Sequence, residues 1–128
     1  MTNHELDTGA PFATILLGQP TLAAKMRLGV LAALEQRITV RHQMIGMTAD
    51  ETAGYIRHHL ALAGRSDPIF TDDAIALIHT SSRGKPRSVN NLAIAALIAA
   101  RAKDKTLVDE ASARSAITET TDHITASP

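Results

Sequence analysis

Three polar residues stand where phosphate chemistry can use them. Gln19 follows the apolar run Phe12–Leu17 after Gly18, and α/β proteins place ligand-facing groups at the carboxyl ends of strands. Arg37 ends Leu34-Glu35-Gln36-Arg37 and leads into a β-branched stretch. Arg87 opens a helix after the corner Ser81-Ser82-Arg83-Gly84-Lys85-Pro86. In that corner Gly84 supplies the left-handed residue that stops one helix, and Pro86 suits the first turn of the next. A guanidinium held beside a rigid corner and aimed away from the core is a phosphate-binding device, because its planar fork meets two oxygens at once.

Other chemistries find no residues to carry them. The single Gly-Lys pair, Gly84-Lys85, is followed by Pro86 where a phosphate-binding loop needs Ser or Thr, and His79 stands where its first glycine belongs. An apolar strand ending in Asp or Asp-Glu, the usual magnesium holder, is also absent. Ile69-Phe70-Thr71-Asp72-Asp73 comes nearest, but Thr71 interrupts it and the acids cap a helix. Of the 6 histidines, His58 and His59 point about 100° apart on a helix and cannot share a metal, and His42 and His79 stand alone. No Gly-x-Ser-x-Gly elbow occurs.

Composition bounds the rest. Apolar residues make up 45% of the 128, yet there are only 2 Phe, 1 Tyr and no Trp. Such an excess of alanine and leucine predicts close-packed helices rather than a β-sandwich. The net charge of zero gives no overall basic field for nucleic acid, so DNA contact is expected to be weak or indirect. The absence of cysteine excludes disulfides and thiolate metal sites and fits a reducing cytoplasm. No run is long enough to span a membrane.

The elements that must position the three residues follow from periodicity. Phe12–Leu17 has the length and flanks of a buried parallel strand, and Ile38–Met44 is its candidate partner. Thr21–Met26 and Val30–Gln36 read as short helices broken at Gly29. Thr48 and Glu51 form a capping box for a helix that buries Ala53, Ile56, Leu60 and Ala63 and stops at Gly64. Thr71 caps the next helix, with Ala74, Ile75, Leu77 and Ile78 facing inward. Ser88–Lys103 buries Val89, Leu92, Ala93, Ala96, Leu97 and Ala100. After the extended Leu107-Val108, Asp109 caps a last helix to about Glu119 with Ala113, Ala116 and Ile117 inward. The expected organisation is a core fragment at 1–45, a four-helix unit at 46–120 and a disordered tail at 121–128. The fold class is mainly α with one or two strands.

These motifs together resemble the carboxyl half of AAA+ ATPases. The residues that carry the likeness are Ile15-Leu16-Leu17-Gly18-Gln19-Pro20, Leu31-x-x-Leu34-x-Gln36-Arg37-Ile38, Met47-Thr48-x-x-Glu51-Thr52, Phe70-Thr71-Asp72-Asp73-Ala74 and Gly84-x-Pro86-Arg87-x-x-Asn90-Asn91-Leu92. The branch they resemble most is that of bacterial transposition helper ATPases and the ATPase component of the general secretion pathway. The likeness implies that Gln19 falls at sensor 1, orienting the attacking water or contacting the γ-phosphate, and that Arg37 falls at the arginine finger, reaching a neighbouring subunit's nucleotide. It implies that Arg87 is the sensor 2 arginine of a helical lid, with Gly84, Lys85 and Pro86 around it. Lys85 departs from the usually apolar residue before that proline. Full members bind ATP with magnesium through upstream loops that these residues lack. The expectation is therefore a truncated ATPase that does not turn over ATP alone and binds no cofactor tightly. Full-length AAA+ subunits or a transposase are the implied partners. Two alternatives stand beside it: a helical module that docks on such a partner, and a small DNA-binding helical domain.

Overall fold

The computed structural model describes residues 13–125, with side chains through Thr121. The chain divides into two compact units, Met1–Gln43 and Met44–Pro128.

In the first unit the described residues hold α1 (Pro20–Met26), a 3-10 turn at Gly29–Leu31 and α2 (Ala32–Glu35). The break expected at Gly29 is there, because a 3-10 turn intervenes. Met26 is the buried residue of α1. The two predicted strands are not. Residues 13–17 and 38–44 form no ladder, and Ile15, Leu17, Val40 and Met44 are exposed. A strand exists only through hydrogen bonds to a neighbour, and among the described residues nothing supplies them. Phe12 lies outside the described residues.

The second unit is the four-helix unit that the periodicity predicts. It comprises α3 (Ala49–Leu62), α4 (Asp72–Ser82), α5 (Pro86–Ala102) and α6 (Glu110–Thr125). Local signals set the helix starts. The Thr48 hydroxyl accepts from Glu51 N–H at 3.2 Å and the Glu51 carboxylate accepts from Thr48 N–H at 2.8 Å, a complete capping box. Thr71 Oγ1 accepts from Ala74 N–H, and Asp109 Oδ1 accepts from Ser112 N–H. The α3 helix ends through Gly64, whose φ of 81° lets the chain reverse. α6 runs on to Thr125, past Glu119 and into the stretch expected to be a disordered tail. Its Thr120 and Thr121 hydroxyls return to the carbonyls one turn back instead of competing for the chain.

Alanine sets the packing. Ala74, Ala96, Ala113 and Ala116 are fully buried, so α4, α5 and α6 approach closely around Ile78, Val89 and Val108. The inward faces match the sequence reading except at Ala63, which is exposed, while Ala53, Leu60, Leu77, Ala93, Leu97 and Ile117 are half-buried. A parallel bridge joins Phe70 to Val108, through Val108 N–H to the Ile69 carbonyl (2.8 Å) and Thr71 N–H to the Val108 carbonyl (3.0 Å). That bridge sets the leads into α4 and α6 side by side.

Candidate functional site

Residues 82–87 form the corner between α4 and α5. α4 does not stop on glycine alone. Arg83 is its C-cap in the left-handed region (φ 53°), and Gly84 follows at φ 64°. Two successive left-handed residues make a turn with little intrinsic stability, since the first carries a side chain. Side-chain and backbone bonds compensate. Gly84 N–H reaches both the Ser82 hydroxyl (3.2 Å) and the His79 carbonyl (3.3 Å), and Ser82, itself buried, donates to the same His79 carbonyl at 3.1 Å. Lys85 N–H closes on the Ser82 carbonyl, and Pro86 then begins α5 with its φ already set.

This corner presents cations where a helix prefers anions. A helix N-terminus carries roughly half a positive charge and favours carboxylates nearby. α3, α4 and α6 each place acidic residues in their first turn, but α5 has none. It has Lys85 at the cap and Arg87 in the first turn instead, both exposed, with Arg83 exposed just before them. None of the three side chains makes a hydrogen bond or ion pair among the described residues. Helix dipole and side chains together form a positive site suited to a phosphate-bearing ligand.

Behind the corner, α3 and α4 are joined by a buried polar contact. Thr52, fully buried, donates its hydroxyl proton to the Thr48 carbonyl at 2.8 Å. Its oxygen lies 2.9 Å from His79 Nδ1, which must therefore carry the proton of that second bond. Neither residue carried a legible partner in the sequence, where His79 stood alone.

The other two predicted residues belong to the first unit. Gln19 is the N-cap of α1, exposed, and its side chain makes no capping bond. It does not follow a strand, since residues 13–18 form none. Arg37 is exposed just beyond α2, its N–H bonded to the Leu34 carbonyl. Nearby, Arg41 holds the Glu35 backbone carbonyl at 3.0 Å and lies 3.6 Å from the Glu35 carboxylate. Among the described residues no group of three His, Cys, Asp or Glu side chains could hold a metal ion. On α3, the Tyr55 and His59 rings meet at a tilt of 59°, 4.4 Å between ring centres. No helix among the described residues is long and apolar enough to cross a membrane.

Comparison with known proteins gives one direction. The chain is similar to "General secretion pathway protein A" of Aeromonas hydrophila, with 38% identity over 103 residues, 80% of this chain and 19% of that protein. The chain thus spans about a fifth of the length of the curated relative it matches. No family model matches the chain, and no solved structure gives a significant match.

Proposed function

We propose that this chain is a sensor-and-lid region of an AAA+ ATPase related to General secretion pathway protein A, and that Arg87 reads the phosphates of a bound nucleotide. One observation carries the reading: α5 begins with Lys85 and Arg87, exposed and without an anionic partner among the described residues, on a corner stiffened by Ser82 and His79. Cations at a helix start weaken an isolated domain. They are accounted for by a ligand that brings negative charge. The likeness to a secretion-pathway protein supports that branch over the transposition one.

Within this reading Gln19 takes the sensor 1 role and Arg37 reaches the nucleotide of a neighbouring subunit. Gly84, Lys85 and Pro86 shape the approach to Arg87. The chemistry is that of phosphoryl transfer, in which positioned cations stabilise charge spreading over the phosphate oxygens. These 128 residues contain neither a phosphate-binding loop nor an acidic magnesium strand. These residues therefore sense phosphate, while magnesium binding and ATP turnover are carried out together with elements of a full-length subunit.

An ATP titration of the purified chain followed by NMR tests the proposal. Arg87→Ala is expected to weaken binding roughly tenfold or more, the worth of a charged hydrogen bond. The wild-type chain is expected to hydrolyse no ATP above background. Equal binding by wild type and Arg87→Ala, or turnover by the isolated chain that Arg87→Ala removes, would sink the reading. A shift of short duplex DNA at low salt that survives Arg87→Ala would favour the DNA-binding alternative.

A further inference from the structure

We infer that Gly46 is a positioning residue for the anion site at Arg87, an inference that rests on the reading of Arg87 given above. Gly46 lies against the corner backbone. A Cβ added there would sit 2.0 Å from the Arg83 carbonyl oxygen and 3.2 Å from the Gly84 carbonyl carbon. A Cβ added to Gly84 would sit 2.0 Å from the Met47 carbonyl oxygen. Between the two glycines, Met47 N–H donates to the Gly84 carbonyl at 2.9 Å. Two backbones meet with no side chain between them, as only glycine permits.

The consequence is mechanical. Arg83 and Gly84 both occupy the left-handed region, and Gly84 is followed by Lys85 and then by the first helical residue of α5. A shift of their carbonyls passes within a few bonds to the backbone that aims the Arg87 side chain. The bonds from Ser82 and His79 hold the corner from the α4 side. Gly46 and Met47 hold it from the segment that leads into α3, a few residues after the division between the two units. An anion that orders the corner must then also tighten the Met47 bond, because coupling between two sites is reciprocal.

Amide hydrogen exchange and tripolyphosphate binding, both read by NMR on the full 128-residue chain, test the inference. Saturating tripolyphosphate is expected to slow exchange of the Met47 amide about threefold or more, as ordering of a locally opening segment requires. Gly46→Ala is expected to weaken tripolyphosphate binding about tenfold while α3 keeps its helix, because the capping box of Thr48 and Glu51 does not involve residue 46. A Met47 amide that exchanges at the same rate while the Arg87 side-chain signal shifts would overturn the inference, and so would wild-type binding by Gly46→Ala beside a weakened Arg87→Ala. Unchanged binding by Arg87→Ala would instead remove the reading of Arg87. If Gly46→Ala fails to fold by circular dichroism, the wild-type Met47 exchange alone decides.

Discussion

His79 donates to Thr52: the Thr52 hydroxyl has one proton, it goes to the Thr48 carbonyl at 2.8 Å, and the remaining 2.9 Å contact obliges His79 Nδ1 to supply the other. This bond joins the first turn of α3 to the last turn of α4, next to the corner. His79 also gives its carbonyl to Ser82 and Gly84. One residue thus joins the α3 helix and the corner through its ring and its backbone.

Thr52→Val tests that arrangement. Valine fills the same volume but leaves the His79 ring proton without an acceptor in a part-buried position. The expected loss is about 1–3 kcal/mol, the cost of an unsatisfied buried donor. Thermal melts should show it as several degrees. A nitrogen-detected NMR experiment on His79 should show the Nδ1 proton in wild type and a changed tautomer balance in the variant. An unchanged melting temperature would mean that the ring finds another partner.

Core and surface isoleucines should behave oppositely. Ile78 is fully buried beneath the helix contacts, whereas Ile94 and Ile98 are 57% and 65% exposed on the outer face of α5. Ile78→Ala is expected to cost about 2–5 kcal/mol in urea unfolding. Ile94→Ala and Ile98→Ala should each stay within about 0.5 kcal/mol of wild type.

Acid should weaken the start of α6. The Lys105 ammonium, then the Ser112 hydroxyl and Ser112 N–H, hold the Asp109 carboxyl well below the usual carboxylate range. A carboxylate depressed in the folded state adds stability that is fully present above its unfolded value near about pH 4 and is lost as pH falls below it. The melting temperature should therefore be insensitive to this group between neutral pH and about pH 5, then drop as acid is added. Asp109→Asn keeps a capping oxygen and removes the charge, so its melting temperature should fall less steeply in acid. Parallel acid profiles for the two proteins would show that the Lys105 contact contributes nothing to folding.

The legible parts of the fold are those encoded within one turn of chain. Thr48 with Glu51, Thr71 and Asp109 announce three helix starts because a cap is made by residues two or three positions away. The inward faces of α4 and α5 follow from spacing for the same reason. Residues 13–17 form no strand although an apolar run of this length satisfies the pattern of one, because a strand also needs a partner that no local pattern contains. The corner was half legible. Gly84, Pro86 and Arg87 marked a junction with a cation, but Arg83 in the left-handed region left no signature. The contact of Gly46 with Gly84 joins distant positions and appears only in three dimensions. Thr52 and His79 were hidden likewise, since neither type announces a buried partner.

Arg87 should cost stability in the free chain. It stands in the first turn of α5, where the helix dipole repels a cation, and that turn holds no acidic residue to offset it. Arg87→Ala is expected to stabilise the helical unit by about 0.3–1 kcal/mol at low ionic strength, and Arg87→Glu by somewhat more. The gain should shrink as salt screens the dipole. Residues held against local stability in this way are expected at ligand sites, where binding restores the balance. The two measurements therefore belong together: chemical unfolding of wild type and Arg87→Ala, each with and without tripolyphosphate. Without ligand the variant should be the more stable protein. With ligand the wild type should gain stability according to its occupancy, and the variant little. A variant that is less stable than wild type in the absence of ligand would mean that Arg87 packs as a structural residue. The electrostatic argument for an anion site at α5 would then fail.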